Sequence, residues 1–522
     1  MFAKKFRQDI QALRGFSIAA VLAYHTTPAE LPGGFLGVDV FFVISGYLMA
    51  GIICEGIVAG QFNLVGFYLR RARRLLPAAY VTFSACAIAA PFLLSSLEYA
   101  EFRKQLAGAL SFTSNFVLWR QSGYFAQASE LKPLLHTWSL AVEEQYYLLL
   151  PAFLMLCPRR FWLASLSCGA VFSFGLGLYV AEINPSGAFY LLPTRAWELL
   201  LGSIGVLLIH PGARAIASGL FWPAVLALPF AVVFASPSSP PGFEALIVCL
   251  ATLAILLARD ERASRGPLVA TFAWLGDLSY PLYLVHWPIF AFIRNIWIAG
   301  APVHVLALAG ATSVAIAWIV VRFVERPVRA RLDGLETWRQ IAVFSAPAAI
   351  MIALSLAANL HNATHYIAGR RANQGLASVC DAVRFSPEPP CRYGDAKAPM
   401  LLWGDSFAMH LAQALAESDR GFVQATLSAC APLMDFAIVD PASLHPQTWS
   451  KNCIEFNQMT LDYLGRNPAI EVVILSSAFL HALEERGPNR ILADGRIRTP
   501  STELAADHLA RTIASVRKLG RK

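Results

Sequence analysis

The sequence predicts an all-α polytopic membrane domain of about eleven transmembrane helices, followed by a partial α/β domain outside the cytoplasm. Three observations predict it. Of 522 residues, 56% are hydrophobic and 15% charged, where an average soluble domain carries roughly 25% charge. That excludes an ordinary soluble enzyme and a disordered chain. The apolar residues run in blocks near the roughly 20 needed to span a bilayer, not in the apolar–polar alternation of a porin-like barrel. The blocks stop near residue 358, and a polar tail follows.

Eleven blocks are candidate spans: 10–27, 36–54, 75–95, 138–157, 161–181, 195–209, 220–236, 243–258, 280–298, 302–323 and 340–358. The loops orient them. One alternate set carries Lys4, Lys5, Arg7, Arg70, Arg71, Arg73, Arg74, Arg159, Arg160, Arg214, Arg259, Arg262, Arg265, Arg322, Arg326, Arg329, Arg331 and Arg339. The other carries Arg103, Lys104, Arg120 and Lys132. This bias places the N-terminus in the cytoplasm. The basic N-terminus lacks a small-residue cleavage site and reads as a retained first span. Segment 105–119 is short and holds Ser111, Thr113, Ser114 and Asn115. Counted as a span, it would put every later basic loop outside. It therefore reads as re-entrant or interfacial, covered by protein. Eleven spans carry the tail out of the cytoplasm, and the Pro-rich patch Ser236–Pro241 reads as an external turn.

Charge and cysteine separate the two parts. Residues 1–358 carry a net charge of +7 and residues 359–522 a net charge of +1. Basic residues lying in short loops between apolar blocks are a topology signal, not the basic face of a nucleic-acid-binding domain. Cys54, Cys86, Cys157, Cys168 and Cys249 lie in or beside apolar blocks and read as small hydrophobes. The tail holds Cys380, Cys391, Cys430 and Cys453, an even number that predicts two disulfides. Sequence order favours Cys380–Cys391 and Cys430–Cys453 among three possible pairings.

Polar residues inside spans are costly, so each is a candidate functional group. Arg14 and His25 are eleven residues apart on the first span, which places them on one face and about 16 Å apart along the axis. Asp39 lies in the second, within a run where Gly37 and Gly46 permit close packing and Ser45 can bond across an interface. Arg71 and Arg74 share a face if helical, and their guanidinium forks suit phosphate. Glu143 and Glu144 open a span, where a helix dipole would favour them. His136 faces alike with Glu143. Arg195 and Glu198 read as an ion pair, and Asp277, Tyr283 and His286 as further candidates. No cluster has metal-ligand spacing, and none is expected to bind metal. A phosphate-bearing donor held by the arginines could present its reactive end to His25 acting as base. A coenzyme A thioester fits that span. A proton-coupled transporter is the competing reading.

The chain resembles acyltransferase family 3 of bacterial membrane proteins over roughly residues 5–335. The matching pieces are Gln11-Ala12-Leu13-Arg14-Gly15, His25, Gly37 through Leu48, the Arg71–Arg74 pair before Pro77, His136 through Tyr147 with Pro151, Ser279 through Pro288, and Glu325-Arg326-Pro327. The resemblance implies transfer of an acyl group, commonly acetyl, from cytoplasmic acyl-CoA to sugars outside. It implies His25 as catalytic residue and Arg14, Arg71 and Arg74 as donor-binding residues. Asp39, Glu143 and Glu144 join the catalytic candidates, and His136, Tyr283 and His286 the substrate-binding ones.

In the tail, Met400-Leu401-Leu402-Trp403-Gly404-Asp405-Ser406 reads as a buried strand followed by a nucleophile turn. Val472–Leu475 reads as a second parallel strand and Ala505–Leu519 as a helix. This resembles the SGNH-type domain of fused lipopolysaccharide O-acetyltransferases, implying Ser406 as nucleophile with Asp405 beside it. The family's closing Asp-x-x-His is not found: Asp507 and His508 are adjacent, on a helix. The sequence stops at Lys522 where another strand is expected, so the domain reads as incomplete. The expected organisation is a membrane acyltransferase domain at 1–335, an additional helix at 336–360, a linker with one cysteine pair at 361–395 and the partial SGNH-like domain at 396–522. The expected partners are acyl-CoA, a cell-surface or lipid-linked glycan such as O-antigen, and the bilayer of the bacterial inner membrane. The alternatives are an exporter of acylated lipid or sugar, or an inactive remnant.

Overall fold

The computed structural model describes residues 7–122, 129–235, 242–258, 266–297, 301–332, 334–357, 374–394, 398–418, 420–439, 447–479 and 490–522. The chain divides into two compact units, Met1–Ile367 and Ala368–Lys522. The predicted turn at Ser236–Pro241 and the loop residues Lys4, Lys5, Arg259, Arg262 and Arg265 lie outside the described residues.

The first unit is helical. Its α-helices are α1 (Gln8–Thr26), α2 (Gly37–Val58), α3 (Leu64–Leu93), α4 (Ser96–Leu110), α5 (Ser114–Arg120), α6 (Thr137–Leu156), α7 (Trp162–Ile183) and α8 (Pro185–Tyr190). Then follow α9 (Leu192–Leu207), α10 (Pro211–Gly219), α11 (Phe221–Phe234), α12 (Phe243–Ala258), α13 (Pro267–Ile296), α14 (Val303–Val320), α15 (Arg326–Leu332) and α16 (Thr337–Ala357). Each of the eleven predicted blocks is helical over most of its described residues. Five helical stretches among the described residues are long and apolar enough to cross a membrane: Gly34–Val58, Leu64–Leu93, Arg159–Ile183, Pro267–Ile296 and Val303–Leu332. A sixth is added if α10 and α11, bent by 54°, form one span. Helices α1 and α6 fall outside this set, and they carry Arg14 and His25 and the Glu143–Glu144 pair respectively.

Helices α3 and α13 begin well before the predicted blocks. Asn63 caps α3 by accepting from Gly66 N at 3.0 Å, and the helix then runs through Arg70–Arg74 and Pro77. The basic run predicted as a loop is therefore helical. Segment 105–119 is broken, as expected of a segment that does not span. Helix α4 ends at Leu110, Phe112 has a positive φ of 55°, and α5 begins at Ser114. Protein covers two of its four polar groups: Ser114 Oγ donates to Thr137 O at 2.8 Å, and Gln145 Nε2 donates to Asn115 Oδ1 at 2.9 Å, whereas Ser111 and Thr113 are exposed.

Two close helix pairs organise this unit. A Cβ on Gly15 would lie 1.7 Å from Phe272 O, and one on Gly276 would lie 2.0 Å from Gln11 O. Only glycine permits α1 and α13 to approach so closely. Gly46 and Gly202 do the same for α2 and α9, where added Cβ atoms would meet Leu199 O and Val43 O at 1.9 and 2.0 Å. Cys54, Cys86 and Cys249 are buried as predicted, whereas Cys168 is exposed on α7.

The second unit is α/β. Strands β1 (Arg392–Tyr393), β2 (Met400–Gly404), β3 (Phe422–Thr426) and β5 (Val472–Ser476) form a sheet in the order β1-β3-β2-β5. Strand β2 pairs in parallel with β3 and β5, as predicted for 472–475. An antiparallel sheet holds β4 (Phe436–Val439), β6 (Arg490–Ala493) and β7 (Arg496–Arg498). Helices Ser406–Glu417, Gln447–Arg466 and Thr502–Lys518 complete the described elements. On the β5 edge, Val473 N donates to Lys522 O and Lys522 N to Glu471 O, at 3.0 and 2.9 Å. The disulfides are Cys380–Cys391 and Cys430–Cys453.

The boundary expected at 395 is displaced. Residues 374–394 belong to the α/β unit: β1 joins its sheet, and Leu376 N donates to Gln424 Oε1 at 2.7 Å. The polar, cysteine-bearing stretch that reads as a linker is a sheet edge. Positions 361–373 of that linker lie outside the described residues.

Candidate active site

The close crossing of α1 and α13 brings Arg14 Nη2 within 2.7 Å of Ser279 Oγ. Arg14 Nη1 also donates to Gln11 Oε1 at 3.2 Å. The guanidinium faces a cavity of about 300 Å³. Arg70, Arg71, Arg74 and Arg329 also line it, together with Glu143, Ser45, Ser139, Tyr280 and Tyr283. Arg71 and Arg74 share the cavity-facing side of α3, as their spacing predicts for a helix.

Glu143 and Glu144 have separate roles. Ser45 Oγ of α2 donates to Glu143 Oε1 at 2.9 Å. Glu144 pairs with Arg71 at 2.5 Å, and the Arg71 guanidinium lies 3.8 Å over the Tyr147 ring. The first turn of α6 holds no acidic residue. The two carboxylates sit past it and are held by α2 and α3, not by the helix dipole.

Tyr283 links this cavity to a cluster of histidines. Its hydroxyl lies 2.7 Å from Ser139 Oγ and donates to His136 O at 3.2 Å. Its ring lies 5.6 Å from His136 and 5.5 Å from His286. His286 in turn lies 6.0 Å from His136 and stacks on His25 at 5.7 Å. Trp287 meets the His25 ring edge-on at 4.6 Å. His286 Nδ1 lies 3.0 Å from Leu282 O, which fixes Nδ1 as the protonated nitrogen. Nε2 is buried and has no hydrogen-bond partner among the described residues. His136 and His286 are buried and His25, in the last turn of α1, is partly so. Arg14 and His25 do share a face: both meet α13, at Ser279 and at His286–Trp287.

Asp39 lies elsewhere. Arg195 Nη2 donates to Asp39 Oδ1 at 3.0 Å, and Arg195 Nε lies 3.1 Å from Glu198 Oε1, with all three side chains no more than 3% exposed. The predicted Arg195–Glu198 pair is thus a triad, and Asp39 is its third member. Asp277 is on α13 but does not line the cavity. Arg294, Arg70 and Arg329 were not singled out from the sequence. Arg70 and Arg329 read there as loop charge. Arg294 lies two turns after His286, a spacing that marks proximity but not chemistry.

In the α/β unit, parallel pairing of β2 with β5 sets Gly404 beside Ser476, where a Cβ would lie 1.8 Å from Ser476 O. Asp405 caps the following helix by accepting from Phe407 N at 2.9 Å, and it also accepts from Ser477 Oγ. Burial raises its carboxyl above the usual aspartate value, opposed by the Ser477 and backbone hydrogen bonds. Ser406 opens the helix and is half-buried. His508 does not serve it: its Nδ1 is held by Met434 O at 2.6 Å and its ring lies 5.2 Å from Phe436, inside the core.

The comparisons follow this division. The family described as an acyltransferase domain matches residues 7–322, and the one described as an SGNH domain fused to AT3 domains matches residues 379–522. The peptidoglycan O-acetyltransferase OatA of Listeria monocytogenes is 30% identical, over 63% of this chain and 56% of its own. O-acetyltransferase OatA of Staphylococcus aureus is 31% identical, over 63% and 58%. The putative membrane-bound transacylase BcsY of Komagataeibacter xylinus is 34% identical, over 55% and 74%. The chain thus spans somewhat more than half the length of the OatA proteins, and no solved structure matches it. With the acyltransferase match covering more than half of its residues and the SGNH match following it, the chain belongs to the membrane acyltransferases that carry a fused SGNH domain.

Proposed function

We propose that the chain transfers an acyl group, acetyl in the simplest case, from cytoplasmic acyl-CoA to a hydroxyl of a cell-surface or lipid-linked glycan. The observation that carries this reading is one continuous arrangement. A cavity lined by five arginines and one carboxylate shares Tyr283 with the cluster containing His25. Guanidinium groups suit the phosphates of a coenzyme A donor, and the cavity residues fit that group: Arg14, Arg71 and Arg74 hold the anion, while Glu144 orients Arg71. The thioester end extends past Tyr283 toward His25. His25 takes the proton of the acceptor hydroxyl as its oxygen attacks the thioester carbonyl. The carbon–sulfur bond breaks, and the thiolate takes that proton to leave as free coenzyme A. His136, Tyr283 and His286 shape the passage between the two ends.

In the proposed topology eleven spans put the N-terminus and the arginines at the cytoplasmic side of the inner membrane and the SGNH unit outside. The acceptor is either a lipopolysaccharide glycan such as O-antigen or peptidoglycan, after which the Listeria relative is named. A relay through Ser406 is supported by its place after a buried strand, beside Asp405 and Ser477. The test is ester-linked acetate in separated lipopolysaccharide and peptidoglycan fractions, from cells with and without the chain. Acetate lost on deletion, restored by the wild type and not by His25→Ala is the expected result. Restoration by His25→Ala rejects His25 as the base. Loss with Ser406→Ala alone distinguishes the relay from direct transfer.

A further inference from the structure

The last carbonyls of a helix have no partner within it. At the end of α1 one of them, His25 O, accepts from Arg294 Nη2 at 3.0 Å. A cation suits this negative end of the helix. Arg294 Nε lies 3.6 Å from Glu130, whose side chain is 69% exposed. So long and exposed a pair leaves most of the positive charge unneutralised. Arg294 Nη1 is buried and makes no hydrogen bond among the described residues. The guanidinium lies 5.9 Å over the Trp287 ring and 6.0 Å over the Phe290 ring. The same two rings meet the His25 imidazole, at 4.6 and 6.4 Å. A charged side chain with a spare buried donor thus stands against the aromatic pair that holds His25.

A buried donor left unpaired costs stability and calls for an explanation. Acyl transfer supplies one. When the acceptor oxygen adds to the acyl carbonyl, the double bond becomes a single bond and its oxygen takes a full negative charge. A fixed donor aimed at that oxygen lowers the barrier, because it binds the charged adduct more strongly than the neutral carbonyl. We propose that Arg294 is a further catalytic residue, donating through Nη1 to the oxyanion formed beside His25. This rests on the assignment of His25 as base. The proton leaves the acceptor hydroxyl for His25, the electron pair of the carbonyl moves to the oxygen held by Arg294, and on collapse the carbon–sulfur bond breaks.

The test uses the full chain in native membrane vesicles, with labelled acetyl-CoA and surface glycan from the deletion strain after mild alkaline removal of its esters. Arg294→Gln is expected to lower kcat by about 100-fold or more, with the KM of either substrate changed less than about threefold. Arg294→Lys keeps the charge and the helix cap but loses the fork. It is expected to recover part of kcat at a wild-type thermal midpoint, which keeps the proposal testable if the Gln variant unfolds. A kcat within threefold of wild type in both variants overturns it, as does a loss confined to KM. His25→Ala separates the premises. Full activity there rejects the base assignment and this proposal with it, whereas an inactive His25→Ala beside a normal Arg294→Gln rejects this proposal alone.

Discussion

Replacing Arg195 by methionine tests what Asp39 is for. Arg195 lies 3.0 Å from Asp39 and 3.1 Å from Glu198, and none of the three is more than 3% exposed. At an effective dielectric near 20, one such contact is about 5 kcal/mol of Coulomb attraction. Desolvation offsets much of it, so the pair adds little over an apolar substitute. Removing only the cation is another matter, because two carboxyl groups are left buried without a counter-charge. The expected loss is about 3–5 kcal/mol. Asp39→Asn has the opposite logic: Arg195 keeps Glu198, a like-charge contact disappears, and the amide oxygen still accepts. Its expected cost is below about 1 kcal/mol. Thermal unfolding of the purified full chain in detergent, beside its level in membranes, reads both. Acyl transfer by Asp39→Asn at its wild-type protein level gives the functional arm. Arg195→Met melting within about 2 °C of wild type, or Asp39→Asn falling as far as Arg195→Met, refutes the ion-pair account. Asp39→Asn folded but inactive would return Asp39 to the reaction itself.

Other substitutions read other parts of the structure. Arg74→Gln removes one guanidinium from the cavity and is expected to raise the donor KM by about tenfold or more, the scale of one charge-assisted hydrogen bond, with kcat little changed. Initial rates at varied acetyl-CoA check it, and an unchanged KM removes Arg74 from the donor site. Replacing both Cys430 and Cys453 by serine opens a loop of 23 residues. The expected cost is about 3 kcal/mol, seen as faster proteolysis inside residues 398–522 under non-reducing conditions. For Asp405 the sign follows from burial, which raises its carboxyl. The native state then holds the proton more tightly than the unfolded chain, so stability falls as pH rises through the window above the usual aspartate value. Asp405→Asn removes that loss. It is expected to slow hydrogen exchange in β2 at neutral pH and to change nothing at pH below the ordinary aspartate range, each compared with wild type at the same pH.

Helical blocks were legible in the sequence because an apolar run of fixed length is a local property. So were β2 and the turn at Asp405, where a hydrophobic run meets a glycine and an acid, and the parallel strand predicted at 472–475. Helix starts were less legible. Asn63 begins α3 ahead of four arginines, and hydropathy alone assigns those arginines to a loop, although a capped helix can carry them along a cavity wall. Spacing placed Arg14 and His25 on one face and paired Arg71 with Arg74, since each pair lies on a single helix. Partners contributed by different helices were not legible. Asp39 reads as a site residue by its rarity inside an apolar block. That rarity is explained equally well by Arg195, 156 positions away, which the Gly46–Gly202 crossing brings to it. The same limit hid Arg294. Its chemistry depends on a carbonyl at the end of α1 and on two rings of its own helix, and no window of sequence holds both. Burial of an ionisable group therefore marks a site for inspection, and only its partners decide between anchoring and reaction. Asp39 has a partner for its charge, whereas Arg294 keeps a donor to spare beside His25.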